Sequence, residues 1–292
     1  ESLAGVYEYC FQGGCTHFMI TLATNTLDTF FHAMEVAEAY RAGGGKGLLG
    51  MHMEGPYLNP AKKGAHPAEL IRTPDAAELR EVLQRGARIL RMMTIAPECL
   101  SAEVLGLLKE SGLLLSVGHS NASYAEAMKA FDEGIPTATH LFNAMSAFQH
   151  RAPGLPGALF NHPTAMSSIV CDGIHVDYAA VRVAARLMQG RLFYITDAVA
   201  ETREGVYEHI FRGDRFSLPD GTLSGSALTM MQAVRNGVQQ AGISLEESLR
   251  MAAQYPASLL GNQSRLGRIR EGYEACFVVI DENLQLIKTI AH

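Results

Sequence analysis

Five side chains of the kind that ligate metals or transfer protons stand at the ends of short apolar runs: Glu54, His119, His140, His175 and Asp197. His66 follows Glu54 in the next loop. In a parallel α/β barrel the carboxyl ends of the strands meet on one face, so these side chains would lie close together. One carboxylate and two imidazoles leave a zinc ion open to water and substrate, and Glu54, His119 and His140 fit that count.

Each of these residues also has a structural interpretation. An isolated histidine at a strand end is commonly a hydrogen-bonded structural residue, and the coincidence of several such ends argues against that reading. For Glu54 and Asp197 the alternative is a salt bridge with Arg or Lys, because a buried carboxylate needs a partner. His52, two residues before Glu54, is either a further ligand or a packing and supporting residue. The other histidines form no converging pattern, so we expect surface or structural roles for His17, His32, His150, His162, His209 and His292.

The elements that would position this chemistry are short apolar runs that alternate with helical patterns, which is typical of parallel strands covered by crossover helices. Seven strands are predicted, within residues 17–24, 47–55, 87–98, 113–120, 136–144, 167–175 and 191–199. Helices are predicted over Leu27–Ala42, Asp75–Arg85, Ser101–Ser111, Ser123–Glu133 and Asp177–Gln189, several of them starting at a capping Ser or Asp. The fold class is therefore α/β, a (β/α)8 TIM-type barrel whose first strand is absent from this sequence.

The alternation changes after residue 199. A loop and hairpin region comes first, then two helical segments, and then a tail rich in β-branched residues. We expect a catalytic barrel over residues 1–264 and, over residues 265–292, the C-terminal strands of a small β-sandwich domain.

The composition limits the class of protein and its partners. Hydrophobic residues make up 48% and charged residues 18%, which is the balance of a globular chain with a sizeable core. The net charge of −6 and the lack of a basic run argue against a nucleic-acid partner. No stretch is apolar enough for a membrane span or a signal peptide, so we predict a cytoplasmic protein that acts on a small molecule. The five cysteines have no CxxC spacing, so we expect reduced, mostly buried thiols and neither a disulfide framework nor a thiolate metal cage.

Seven sequence blocks carry a resemblance to a known family. They are HMEGPYLNPAKKGAHP (52–67), VGHSNASY (117–124), THLFNAMS (139–146), RAPG (151–154), DGIHVDY (172–178), TDAVA (196–200) and GTLSGSALTM (221–230). Together, and in this order, they resemble the N-acetylglucosamine-6-phosphate deacetylases of the amidohydrolase superfamily. The resemblance runs from about Gly47 to the C-terminus.

The resemblance implies a role for each matching residue. Glu54, His119 and His140 would be the metal ligands, and Asp197 the catalytic acid and base. His66 would contact the acetyl carbonyl of the substrate and act in catalysis. The remaining implied substrate contacts are Ala65, Asn143, Ala144, Arg151, His175, Leu223, Ser224 and Gly225.

The implied reaction is metal-dependent hydrolysis of N-acetylglucosamine 6-phosphate to glucosamine 6-phosphate and acetate. The metal would be Zn²⁺, with Fe²⁺, Co²⁺ or Mn²⁺ as alternatives, and either one or two ions. A homodimer is also implied, in which Arg151 reaches the phosphate in the partner's site. The alternatives are deacetylation of the galactosamine epimer, a dihydroorotase-like or dipeptidase-like amidohydrolase, and a catalytically inactive sugar-phosphate-binding barrel.

Overall fold

The computed structural model describes residues 2–291. The chain divides into two compact units: a central unit, Met19–Ala165, and a terminal unit formed by the residues up to Phe18 together with Met166 and all that follows. The helices of these units, in chain order, are α1 (Ser2–Gln12), α2 (Leu27–Ala42), α3 (Ala76–Gly86), α4 (Ala102–Glu110), α5 (Tyr124–Asp132), α6 (Gly154–Asn161), α7 (Tyr178–Met188), α8 (Met230–Gln239), α9 (Leu245–Leu249) and α10 (Tyr255–Leu259). A π-helical turn, Arg250–Gln254, joins the last two.

Strands β1 to β7 follow one another in the predicted order, as β1 (Phe18–Ala23), β2 (Leu48–Glu54), β3 (Leu90–Ile95), β4 (Leu114–Val117), β5 (Thr137–Ala138), β6 (Met166–Val170) and β7 (Leu192–Ile195). In the central unit, β2, β3, β4 and β5 pair in parallel as sequence neighbours. In the terminal unit, β6 and β7 pair in parallel. All seven predicted strands are confirmed, although the run over residues 136–144 contributes only the two residues of β5. The additional first strand stays a prediction.

Short antiparallel sheets of the terminal unit follow the seventh strand. One has three strands, β8 (Ile210–Phe211), β9 (Arg215–Ser217) and β10 (Leu223–Ser226). The other is a hairpin of β11 (Phe277–Ile280) and β12 (Leu286–Ile290), as the β-rich tail predicts. The assignment of residues 265–292 to a separate small domain, and of residues 1–264 to the barrel, stays a prediction.

The predicted helices form with the predicted caps. The side chains of Asp75, Ser101, Ser123 and Asp177 each accept a hydrogen bond from a backbone N–H of the first helical turn. Such caps satisfy donors that have no partner inside the helix. Helix α6 was not predicted, because its sequence GLPGALFN contains two Gly and one Pro. It forms because its first six residues are buried.

The interior of the central unit combines an apolar core with a polar network. Met51, Met53 and Met93 are almost fully buried in the strands and fill this core. Hydroxyl groups also lie inside the sheet. Thr94 Oγ1 lies 2.8 Å from Thr139 Oγ1, which lies 2.6 Å from Ser116 Oγ. Buried hydroxyl groups that satisfy one another in this way fix the strands in register beneath the carboxyl-end loops.

No helix within residues 2–291 is both long and apolar enough to span a bilayer.

Candidate active site

The three predicted metal ligands converge in the central unit. His119 Nε2 lies 3.2 Å from Glu54 Oε1, and His140 Nε2 lies 3.0 Å from the same oxygen. The two imidazole Nε2 atoms are 3.1 Å apart. All three residues are buried, with 4–6% of their surface exposed. Three potential ligand atoms from the ends of three different strands therefore surround one point.

The second ring nitrogen of each histidine shows which atom faces this point. His119 Nδ1 lies 2.8 Å from the carbonyl oxygen of Lys62, and His140 Nδ1 lies 3.1 Å from that of Asn143. A carbonyl only accepts, so each Nδ1 carries the proton and donates it. In the neutral rings both Nε2 lone pairs then face each other and the Glu54 carboxylate. A divalent cation between them would satisfy all three lone pairs, and a backbone carbonyl on the far nitrogen is the usual support of a metal-ligating histidine. The donor set fits a divalent metal.

Glu54 is held in its charged form. Burial alone would raise the pKa of this carboxyl group, but the neighbouring His119 and His140 lower its pKa well below the usual range. The alternative salt bridge with Arg or Lys is not found for Glu54 among the described residues, because its ionic partners there are the two histidines. The carboxylate is therefore an anionic ligand within an otherwise neutral set.

His66 lies beside the metal ligands but is oriented differently. Its ring centroid is 4.2 Å from that of His119, and its ligating atom lies within 4.8 Å of those of Glu54 and His119. The backbone N–H of Thr24 donates to His66 Nδ1 at 3.3 Å, and Thr24 Oγ1 lies 2.7 Å from the same nitrogen. Burial and the neighbouring His119 lower the pKa of His66 to about 3, so the ring is neutral. Because Nδ1 accepts from the backbone, Nε2 carries the proton and is a hydrogen-bond donor.

Unusual backbone geometry marks three predicted functional residues. His119, His140 and Asp197 have φ values of 47°, 40° and 50°, a left-handed region that non-glycine residues rarely occupy. Each stands two residues after the end of its strand, which is β4, β5 or β7. Backbone strain of this kind concentrates at functional sites, where the surrounding structure imposes it.

Loops of the central unit bring further predicted contact residues to the metal ligands. A Cβ atom on Gly64, which precedes the half-buried Ala65, would lie 3.3 Å from His119 Cε1 and 3.9 Å from the Cβ of Ala144. The backbone N–H of Asn143 donates to the His140 carbonyl oxygen at 2.9 Å. Asn143 therefore lies next to His140, and Gly64 brings its loop close to His119 and Ala144, while the roles of Ala65, Asn143 and Ala144 in substrate binding stay predictions. Arg151 is exposed on the following loop, and its guanidinium has no hydrogen bond or ion pair within residues 2–291.

The terminal unit carries His175, which is paired with a residue that the sequence analysis missed. His175 Nδ1 lies 2.6 Å from Asp172 Oδ2, and both side chains are about 94% buried. The other oxygen, Asp172 Oδ1, accepts from the backbone N–H groups of Ile174 and His175 at 2.9 and 2.8 Å. Burial opposes the charge on Asp172, yet the bonds from His175 and from these N–H groups lower its pKa. Asp172 therefore fixes the His175 ring, and the Asp three residues before a strand-end His was the available signal.

Asp197 and the predicted loop Leu223–Gly225 are neighbours in the terminal unit. The backbone N–H of Ser226 donates to the Asp197 carbonyl oxygen at 2.8 Å, and that of Val199 donates to Ser226 at 3.2 Å. A Cβ atom on Gly225 would lie 3.3 Å from the same Asp197 oxygen. Strand β10 thus runs alongside the segment that follows β7. Ser224 Oγ lies 2.9 Å from His209 Nδ1.

Two expectations about the remaining residues are corrected. His17 was expected to have no converging partners, but its Nε2 lies 3.2 Å from Glu274 Oε2, near Cys276. The thiols were expected to be mostly buried, but only Cys171 is buried and the other four are half-buried.

His52 is not a member of the ligand cluster. Its two ring nitrogens lie 3.0 Å from Thr21 Oγ1 and 2.7 Å from Thr94 Oγ1, so it belongs to the polar network.

Relatives of known name match almost the whole chain. The amidohydrolase family model matches residues 2–291. The chain is 33% identical over 305 residues to the N-acetylglucosamine-6-phosphate deacetylase of Haemophilus influenzae, covering 100% of this chain and 79% of that protein. It is 34% identical over 283 residues to the N-acetylgalactosamine-6-phosphate deacetylase of Escherichia coli O157:H7, covering 94% of this chain and 75% of the relative.

Solved structures agree with these matches. The N-acetylglucosamine-6-phosphate deacetylase of Pasteurella multocida has a TM-score of 0.92 and 32% identity, over 97% of this chain and 76% of that one. A variant of the Mycobacterium smegmatis enzyme, in complex with N-acetyl-D-glucosamine-6-phosphate, has a TM-score of 0.87 and 30% identity, over 99% of this chain and 77% of the other. The α/β barrel class is thereby confirmed. The chain belongs to the amidohydrolase family, in its N-acetylglucosamine-6-phosphate deacetylase branch, and is a hydrolase that acts on an amide.

Proposed function

We propose that this enzyme hydrolyses the acetamide of N-acetylglucosamine 6-phosphate, using one water molecule to give glucosamine 6-phosphate and acetate. The observation that carries the proposal is the convergence of Glu54, His119 and His140, whose lone pairs face one another within 3.0–3.2 Å. A divalent cation at this point would be bound by all three side chains. The named relatives supply the substrate class that a bare metal cluster leaves open.

Glu54, His119 and His140 would hold a divalent metal, with Zn²⁺ as our first choice and Fe²⁺, Co²⁺ or Mn²⁺ as alternatives. When bound, the metal supplies Lewis-acid activation of water and of the acetyl carbonyl. His66 donates its Nε2–H to the carbonyl oxygen as negative charge develops there, because Thr24 holds the proton on that nitrogen. Asp197 takes the proton from the attacking water and returns it to the departing amine. Without this second transfer the amine is a poor leaving group.

The other predicted residues would bind the sugar phosphate. Asn143, Ala144 and Arg151 are assigned to the phosphate, where a guanidinium can form two parallel charge-assisted hydrogen bonds. Ala65 and His175 are assigned to further substrate contacts. The segment Leu223, Ser224 and Gly225, which was expected to be a loop and forms part of strand β10, is assigned to the substrate. These assignments rest on the family resemblance, and the exposed guanidinium of Arg151 supports its reaching out to a ligand.

Two variants test the catalytic assignments separately. His119→Ala removes one of three ligands and should abolish metal retention in the purified protein, measured by elemental analysis. Asp197→Asn should retain the metal and the substrate but lose most of kcat, because an amide cannot accept the water's proton. Wild-type metal content in His119→Ala would refute the ligand assignment. Near-normal kcat in Asp197→Asn would assign the proton transfer to another group.

Deacetylation of the galactosamine epimer is the second candidate activity. The relative from Escherichia coli O157:H7, at 34% identity, favours it, since the two substrates differ at a single hydroxyl group. Acetate release from each 6-phosphate, compared as kcat/KM, decides between them. We expect the gluco epimer to be preferred, and a higher kcat/KM for the galacto epimer would reverse the assignment.

We also propose a cytoplasmic homodimer in which Arg151 binds the phosphate in the partner's site. A charged phosphate ester does not cross a bilayer unaided, which favours the compartment where such esters are made. Mixing Arg151→Ala with Asp197→Asn protein under conditions of subunit exchange tests the dimer. In each mixed dimer the site of the Arg151→Ala subunit has an intact Asp197 and receives Arg151 from the Asp197→Asn subunit. Activity should partly return. No recovery despite confirmed exchange would remove the cross-subunit role.

A further inference from the structure

A second cluster of metal-ligating side chains lies in the terminal unit, and the reaction does not use it. It consists of His17, just before β1, and of Glu274 and Cys276, just before β11. One nitrogen, one carboxylate oxygen and one sulfur from these residues all lie within 4.8 Å of one another. The closest pair, His17 Nε2 and Glu274 Oε2, is 3.2 Å apart. All three residues are half-buried, so solvent and ions can reach them.

The surroundings orient these groups toward one another. Thr16 Oγ1 lies 3.1 Å from His17 Nδ1 and satisfies that nitrogen, which leaves Nε2 facing Glu274. Glu274 uses its other oxygen, Oε1, for an ion pair with Arg265. His17 Nε2 and Glu274 Oε2 therefore face each other, in the same region as the ligand sulfur of Cys276.

We propose that His17, Glu274 and Cys276 bind a second divalent ion of the zinc class, with water in the fourth position. Sulfur, imidazole nitrogen and carboxylate oxygen are the ligands that Zn²⁺ takes in proteins, and a thiolate discriminates against Mg²⁺ and Ca²⁺. Binding releases the thiol proton of Cys276 to solvent as the metal–sulfur bond forms. Arg265 balances part of the added negative charge of the two anionic ligands.

The ion would join two chain segments that are distant in sequence. His17 precedes the first strand, whereas Glu274 and Cys276 belong to the tail that leads into the β11–β12 hairpin. A ligand that binds only the folded arrangement stabilises it in proportion to the logarithm of its concentration. The site is therefore a structural clamp on the tail, and deacetylase activity should not depend on it.

Cobalt substitution distinguishes this site from the candidate active site. The cluster of Glu54, His119 and His140 contains no sulfur, so a thiolate-to-cobalt charge-transfer band in the near ultraviolet reports only the second site. The metal-depleted full-length protein is titrated with Co²⁺; because two sites compete for the ion, the band should saturate at about two equivalents per chain, and at about one equivalent in His119→Ala, which lacks the other site. It should disappear in Cys276→Ser and persist in Cys99→Ser, a matched control whose thiol is also half-buried.

Elemental analysis after zinc loading gives an independent measure. The zinc content should fall by one equivalent per chain in Cys276→Ser, with deacetylase activity unchanged and a melting temperature that no longer rises with added Zn²⁺. His119→Ala should lose activity and the other metal while keeping the charge-transfer band, so failure of the proposed reaction and failure of this site are distinguishable. No band in the wild type, or a band that survives Cys276→Ser, overturns the proposal.

Discussion

Replacing Asp172 by Asn changes one atom at the hydrogen bond that orients His175. The Oδ1 atom of the new amide can keep both backbone bonds, to Ile174 N at 2.9 Å and His175 N at 2.8 Å, so the amide orientation is fixed. Its NH₂ group then occupies the position of Oδ2, 2.6 Å from His175 Nδ1. Because two donors cannot face each other, the imidazole proton must move from Nδ1 to Nε2. The Nε2 atom of His175 then changes from an acceptor into a donor.

The expected loss follows from the bond that disappears. A buried donor left without its acceptor costs about 1–3 kcal/mol. If His175 accepts a hydrogen bond from the substrate through Nε2, kcat/KM should therefore fall about 5- to 150-fold on conversion of that energy. Steady-state acetate release gives kcat/KM, and ¹⁵N spectra of the histidine rings report the tautomer directly.

The matched control is Asp177→Asn, since Asp177 also caps a backbone N–H, that of Ala179 at 2.7 Å, but touches no histidine. Its kcat/KM should stay within about twofold of wild type. An Asp172→Asn enzyme that turned over substrate like this control, with its tautomer shifted, would refute a substrate contact through His175 Nε2.

The same variant has a signature in the pH dependence of stability. Burial raises the pKa of Asp172, but His175 and the two backbone N–H groups outweigh it, so the folded-state pKa lies below the ordinary value of 3.8. A depressed carboxyl pKa contributes stability that is present above the unfolded value and is lost as the pH falls through the folded one. The stability gap between wild type and Asp172→Asn should therefore be full at neutral pH and shrink below about pH 3.8. Urea unfolding at several pH values measures this, and a gap that widens in acid would contradict the assignment.

Three further predictions concern other parts of the molecule. Thr24→Val keeps the shape of the side chain but removes the hydroxyl group 2.7 Å from His66 Nδ1. The transition-state stabilisation calculated from kcat/KM should fall by about 0.5–1.5 kcal/mol, with unchanged metal content. Loss of metal would show that Thr24 supports the ligands instead. Arg151→Ala should weaken binding of the 6-phosphate by about 1.5–3 kcal/mol and leave binding of unphosphorylated N-acetylglucosamine unchanged, and equal losses for both ligands would refute the phosphate role. Gly237→Ala places a Cβ 2.0 Å from the buried Tyr194 Oη and should lower the free energy of unfolding by about 1–3 kcal/mol. A Cβ on Gly106 meets nothing within 4 Å, so Gly106→Ala should raise the free energy of unfolding by about 0.5–1 kcal/mol in the same denaturation assay.

Much of this architecture can be predicted from periodicity and capping. Helix α2 begins and ends at the predicted residues, Leu27 and Ala42, because a capping Thr26 and a following Gly43 mark both ends. The strand-end positions of Glu54, His119 and His140 also predict their convergence, since parallel strands point their carboxyl ends in one direction.

The features that escape such reasoning depend on tertiary contacts. Helix α6 forms despite poor propensity because Leu155 and Leu159 are fully buried. The cluster of His17, Glu274 and Cys276 joins residues from opposite ends of the sequence, and no local spacing links them. Thr24 is similarly invisible, because a Thr at a strand end has no chemical signature until His66 lies against it.

The left-handed backbone at His119, His140 and Asp197 has an evolutionary consequence. Such a conformation costs an ordinary side chain about 1–3 kcal/mol; His and Asp enter it more often than most residues, and Gly enters it without strain. Replacement by Gly would remove this strain together with the side chain that the proposed reaction needs. If the proposed roles hold, selection for activity keeps a less stable backbone at three positions of this enzyme.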